Sequence, residues 1–132
     1  MGQVTDSYLR ERLSDLDDLT RALATLDDLA PSVDILVNNA LHLHSAPVVA
    51  LELDEWEKTF ATNARAPFLL IKHVLPGMLA RGNGTIVNMI AYEGSPLAAA
   101  YSGTKSALRS LATTVAREVG NDSGVASFSF IP

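Results

Sequence analysis

The sequence has no cysteine in its 132 residues. Disulfides and thiolate metal sites are therefore excluded, and a reducing cytoplasm suits such a chain. Basic residues are few. There are 10 Lys and Arg against 15 Asp and Glu, for a net charge of −5. That balance argues against nucleic acid or an anionic membrane surface as the main partner. No apolar run approaches the ~20 residues of a membrane-spanning helix. The N-terminus lacks the charged-then-apolar pattern of a signal peptide. Hydrophobic residues make up 48% of the chain, which excludes global disorder. The length suits one domain, read here as a single unit over residues 1–132.

What is present reads as alternating helices and strands. Leucines at 9, 13, 16, 19, 23, 26 and 29 recur in steps of three and four, which predicts an amphipathic helix. Ser14 followed by Asp17 offers an N-cap, so the helix proper is expected from Asp15, and Pro31 ends it. The first dozen residues fit no element well. The runs "VDILVNNA" (33–40), "GTIVNMI" (84–90) and "GVASFSFIP" (124–132) read as strands of a parallel sheet, the first two buried on both faces. Helical segments over 54–81 and 101–119 separate them. The order predicts two consecutive right-handed βαβ units with a leading helix.

Two features along these helices carry chemistry. Asp54 and Glu57 form a plausible capping pair for the middle helix, and Pro67 lies inside it. Proline has no N–H, so the Asn63 carbonyl loses its helical partner and becomes free to hold a water. A proline kink without function is the other reading. Tyr101 and Lys105 stand one helical turn apart and share a face. An ammonium beside a phenol favours the phenolate, and a tyrosine tuned in this way can exchange a proton with a substrate oxygen. Alone, the Tyr–Lys spacing equally suits a solvated pair.

Taken together, "DILVNNA", "TNARAPF", "GTIVNMI" and "YSGTKSAL", in this order, resemble the short-chain dehydrogenase/reductase family from about Ser14 to Pro132. The resemblance implies a Rossmann-like three-layer α/β fold with a parallel sheet, of which this chain holds a βαβαβ portion. It implies hydride transfer between NAD or NADP and a small-molecule alcohol or carbonyl. Tyr101 matches the family's acid/base. Lys105 matches the residue that tunes that tyrosine and holds the nicotinamide ribose. Asn63 matches the asparagine whose carbonyl anchors a relay water. Asn38, Asn39 and Ala40 match the loop beside the cofactor, with Asn39 and Ala40 as its cofactor contacts. The helices 54–81 and 101–119 match those that relatives use to form homo-oligomers.

The sequence departs from the family pattern at four places. Ala91 stands where the catalytic serine is expected, and the stretch from there to Tyr101 is about three residues short by the family's usual spacing. Ser95 or Tyr92 are the candidates to replace the serine, against their reading as ordinary loop residues. "NNAL" puts Leu41 where the family has glycine. No G-x-x-x-G-x-G turn for the pyrophosphate occurs, and the strands that precede it in the family are absent. The chain stops at Pro132, where the family continues with a glycine and a substrate loop. A sheet of three strands has two bare edges, so the chain is expected to fold poorly alone or to self-associate. A non-catalytic pseudoenzyme, an interaction module pairing with a full-length relative, and an incomplete reading frame are the alternatives to a truncated oxidoreductase.

Smaller candidates weigh less. His42 and His44 alternate after the first strand but have no obvious third metal ligand, so no metal site is assigned and a place lining the cleft is preferred. His73 reads as a partly exposed helical residue. Asp15, Asp17, Asp18, Asp27 and Asp28 read as a solvated helix face.

Overall fold

The computed structural model of the chain describes residues 13–30 and 32–132. Leu9 and the rest of the first dozen residues lie outside that range. The described elements are α1 (Leu16–Leu29), β1 (Ile35–Asn38), a 3-10 turn (Val48–Ala50), α2 (Leu53–Phe60), a π-helical segment (Ala61–Arg65), α3 (Ala66–Arg81), β2 (Gly84–Met89), α4 (Ala99–Val119) and β3 (Val125–Phe130). The three strands form one parallel sheet in the order β1-β2-β3. The register places Asn38 beside Asn88 and Val87 beside Phe128.

The leading helix begins one residue later than the sequence pattern suggests. Its N-cap is Asp15, whose Oδ1 accepts the Asp18 N–H at 2.9 Å. Asp15, the residue next to the first turn, takes the cap position that the pattern gives to Ser14. The middle helix also differs at its start. Glu52 is the N-cap and makes no side-chain bond, so the Asp54–Glu57 capping pair is not formed. α2, the π segment and α3 follow one another without a break, so the 54–81 helix is one rod with a widened turn. The Ala66 N–H reaches back five residues to the Ala61 carbonyl. The wide turn falls where Pro67 withholds its N–H from Asn63. At the far end Gly82 adopts φ 64, the left-handed cap that a side chain resists.

The core lies between the sheet and the helices on one face. Ile71, Val74 and Met78 of α3 meet Ile86 of β2, Val115 of α4 and Val125 of β3. The strands are not buried on both faces. Consecutive right-handed crossovers in one direction put α3 and α4 on the same side. On the other side Ile35 and Val37 are 64% and 54% exposed, with Phe128 and Phe130 near half. The expected apolar character of the strands is present, but only its helix-facing half is covered here.

Candidate active site

Parallel strands end together, and the loops that leave their carboxyl ends build the site. Two loops do so here, 39–47 after β1 and 90–98 after β2. They are stitched to each other. The Ala46 N–H donates to the Leu97 carbonyl at 2.9 Å, and Ala46 and Ala98 form a parallel bridge. Leu97 holds φ 62, an unusual conformation for a branched residue and a mark of local strain at the bridge.

α4 begins immediately after this bridge and carries Tyr101 in its first turn. Tyr101 is half-buried. One turn on, Lys105 is almost fully buried, at 2% exposure. Its Nζ lies 5.6 Å from the Tyr101 ring centroid and donates to the Met89 carbonyl at 2.8 Å. Burial holds the ammonium below its ordinary range. The expected shared face of Tyr101 and Lys105 is thus present, and it faces the carboxyl end of β2.

Asn63 comes from the π segment and is fully buried. Its side chain bonds both backbone groups of His42, accepting the N–H at 2.6 Å and donating to the carbonyl at 2.9 Å. It also donates to Thr104 Oγ1 at 3.2 Å, and Thr104 donates to the Tyr101 carbonyl at 2.7 Å. One asparagine therefore joins the loop after β1 to the helix of Tyr101. The histidines are engaged as well. His42 Nε2 lies 2.8 Å and His44 Nδ1 3.6 Å from Glu55 Oε2. The His42 contact holds the Glu55 carboxyl below its usual range.

The remaining predicted positions are distributed as follows. Asn39 is exposed and Ala40 half-buried at the end of β1. Asn38 is buried and donates from Nδ2 to Asn88 Oδ1 at 2.8 Å, across the β1–β2 register. Ala91 is half-buried, and its carbonyl accepts from Arg109 Nη2 at 3.2 Å. Ser95 and Tyr92 are both exposed, Tyr92 at 74%. His73 lies against Asp27 at 2.7 Å and ties α3 to α1. Among the described residues no cluster of three or more His, Asp and Glu is arranged to hold a metal ion.

Sequence reasoning missed three residues of this constellation. Thr104 and Arg109 sit on the Tyr101 face at helical spacing, which is a usable signal. Asn88 is a polar residue in an apolar strand, opposite Asn38. Such a residue signals a buried pair, though not its partner.

Three parallel strands joined by helical crossovers make a portion of a Rossmann-like α/β fold. Residues 5–131 match the short chain dehydrogenase family, and the chain belongs to that short-chain dehydrogenase/reductase family. It is 38% identical over 96 residues to a probable short-chain type dehydrogenase/reductase of Bradyrhizobium diazoefficiens, covering 67% of this chain and 34% of that protein. A metagenomic short-chain oxidoreductase in complex with NADP superposes with a TM-score of 0.83 at 28% identity, over 92% of this chain and 55% of that one. A gluconate 5-dehydrogenase from Burkholderia cenocepacia, in complex with NADP and tartrate, gives 0.81 at 27% identity, over 92% and 48%. The chain thus spans about a third of its Bradyrhizobium relative and about half of these two structures.

Proposed function

We propose that this chain carries the proton-transfer half of an NAD(P)-dependent oxidoreductase acting on an alcohol or carbonyl. The buried Lys105 ammonium, one turn from a half-exposed Tyr101, is the observation that carries this reading. Tyr101 is the acid/base that exchanges a proton with the substrate oxygen. Lys105 favours the phenolate by its charge and is kept in place by the Met89 carbonyl. Asn63 anchors the relay water through its backbone carbonyl, which Pro67 cannot occupy.

The residues fit the ribose end of a nicotinamide cofactor. An ammonium has three N–H donors. Lys105 gives one to Met89, which leaves donors for ribose hydroxyls. Asn39 and Ala40 follow β1 at the carboxyl end of the sheet, the side on which open parallel α/β sheets bind their ligands. When bound, the nicotinamide supplies the hydride acceptor or donor. No glycine-rich turn for the pyrophosphate occurs in the sequence, so the contacts proposed here concern the ribose and nicotinamide alone. The same family reading supports a homo-oligomer through the helices 54–81 and 101–119, and between α3 and α4 lies an apolar groove lined by Phe68, Leu75, Leu79 and Leu111.

The test is thermal unfolding with and without NADH and NADPH, followed by a substrate screen. Cofactor at a hundred times its dissociation constant adds about 2.7 kcal/mol of stability. A shifted midpoint with one cofactor, and turnover lost about 10²- to 10⁴-fold in Tyr101→Phe, is the expected result. A midpoint unmoved by either cofactor, with no turnover, sinks the reading.

A further inference from the structure

Tyr101, Lys105 and Arg109 follow one another at single-turn spacing along α4. The two cations do the same thing one turn apart. Lys105 Nζ donates to the Met89 carbonyl at 2.8 Å, and Arg109 Nη2 to the Ala91 carbonyl at 3.2 Å. They hold alternate carbonyls of the chain leaving β2, so that segment runs along the helix that carries Tyr101.

Arg109 does more than repeat the lysine. Its Nη1 reaches Glu93 Oε1 at 3.0 Å, and its Nε is buried. A planar guanidinium can serve two acceptors at once, which an ammonium on a flexible stem does less well. Among the described residues, the hydrogen bonds that fix Ala91 and Glu93 to the rest of the fold both come from Arg109. The segment is next pinned only at Leu97, whose carbonyl accepts from Ala46 and whose backbone is strained at φ 62.

The two contacts are unequal. Arg109 and Glu93 are 40% and 56% exposed, and a solvated ion pair of that kind contributes little. The bond to the Ala91 carbonyl is partly buried and charge-assisted, the stronger class.

We infer that Arg109 is a positioning residue that sets where residues 91–93 lie relative to Tyr101, and so fixes one wall of the site. The functional part rests on the reading of Tyr101 as the acid/base. The structural part does not.

Amide hydrogen exchange on the full chain tests it directly. Arg109→Met is expected to speed exchange at Ala98 and Ala46, whose N–H groups bond Ser95 and Leu97 of this loop, by about tenfold. Ile86 and Val87 in β2 stay as slow as in the wild type. Arg109→Lys, which reaches one acceptor at a time, falls between. Glu93→Gln changes exchange by less than Arg109→Met. Unchanged exchange at Ala46 and Ala98 overturns the inference, and so does a rise shared equally with β2. Should Arg109→Met fail to fold, the lysine variant carries the same comparison. In turnover, Arg109→Met is expected to lower kcat with little change in KM. If no alcohol or carbonyl is turned over, the reading of Tyr101 fails, while the exchange data still decide the role of Arg109.

Discussion

Asn63 is bonded to both backbone groups of His42, 21 positions away, at 2.6 and 2.9 Å. An amide side chain imitates a peptide group, so this pair acts as one extra rung between helix and loop. It works whatever side chain stands at position 42. Asn63 is wholly buried, and its third bond runs to Thr104 on α4. The loop after β1 and the helix of Tyr101 are therefore tied to each other through one side chain.

Asn63→Asp changes one group at this rung and keeps its shape. The carboxylate sets an acceptor against the His42 carbonyl and takes a donor away from Thr104. A buried charge without a cation beside it adds to the loss. The expected cost is about 2–4 kcal/mol in urea unfolding. Stability within about 0.5 kcal/mol of wild type, the range of a neutral surface change, would show that the rung carries no load.

How much of this was legible in the sequence follows from the range of each interaction. The strands announced themselves because a parallel sheet needs apolar runs, and "TIVNM" has one. The Tyr101–Lys105 face was legible because one turn is a fixed step. The caps at Asp15 and Glu52 were misplaced, since several acidic residues lie near each helix start and local geometry chooses among them. Asn63–His42 and Arg109–Ala91 join residues 21 and 18 positions apart. No periodicity encodes such pairs. Pro67 hinted at a disturbed turn, and the turn widened, but the use made of the Asn63 side chain had no sequence signal.

The buried ammonium predicts a pH dependence of known sign. Burial lowers Lys105 below 10.5, so between the lowered folded value and 10.5 the unfolded chain holds the proton more firmly. Stability attributable to this group rises with pH across that window, and the penalty is full below it. Lys105→Met removes the titration. The wild type should therefore gain on the variant as pH rises from neutrality toward about 10. A stability difference that stays level, or that moves in the variant's favour as pH rises, contradicts a desolvated ammonium at this position.

The groove between α3 and α4 yields a test of self-association. It encloses about 530 Å³, and Phe68 and Leu79 beside it are 46% and 44% exposed. If two copies meet through these helices, Leu79→Arg places a charge in an apolar contact. A rise of about a hundredfold or more in the dimer dissociation constant, read by sedimentation, is expected. An unchanged association would move the contact elsewhere, with the bare sheet face at Val37 and Phe128 as the next surface to probe.

Ala91 is the sharpest question that the site raises. Its carbonyl is held by Arg109, so the residue has a defined place, half-buried just past the carboxyl end of β2. An alanine offers no donor to a substrate oxygen, and one such donor is worth about 10²- to 10³-fold in kcat. Ser95 and Tyr92 are both exposed on the same loop, so neither stands in a buried position from which to replace it. Ala91→Ser should therefore raise turnover by at least about tenfold, a fraction of what an optimally placed donor provides. The gain should vanish in combination with Tyr101→Phe, and shrink with Arg109→Met if the guanidinium places residue 91. A serine that leaves the rate unchanged would mean that the substrate oxygen is held from another wall, and the search would move to the loop at His42 and His44.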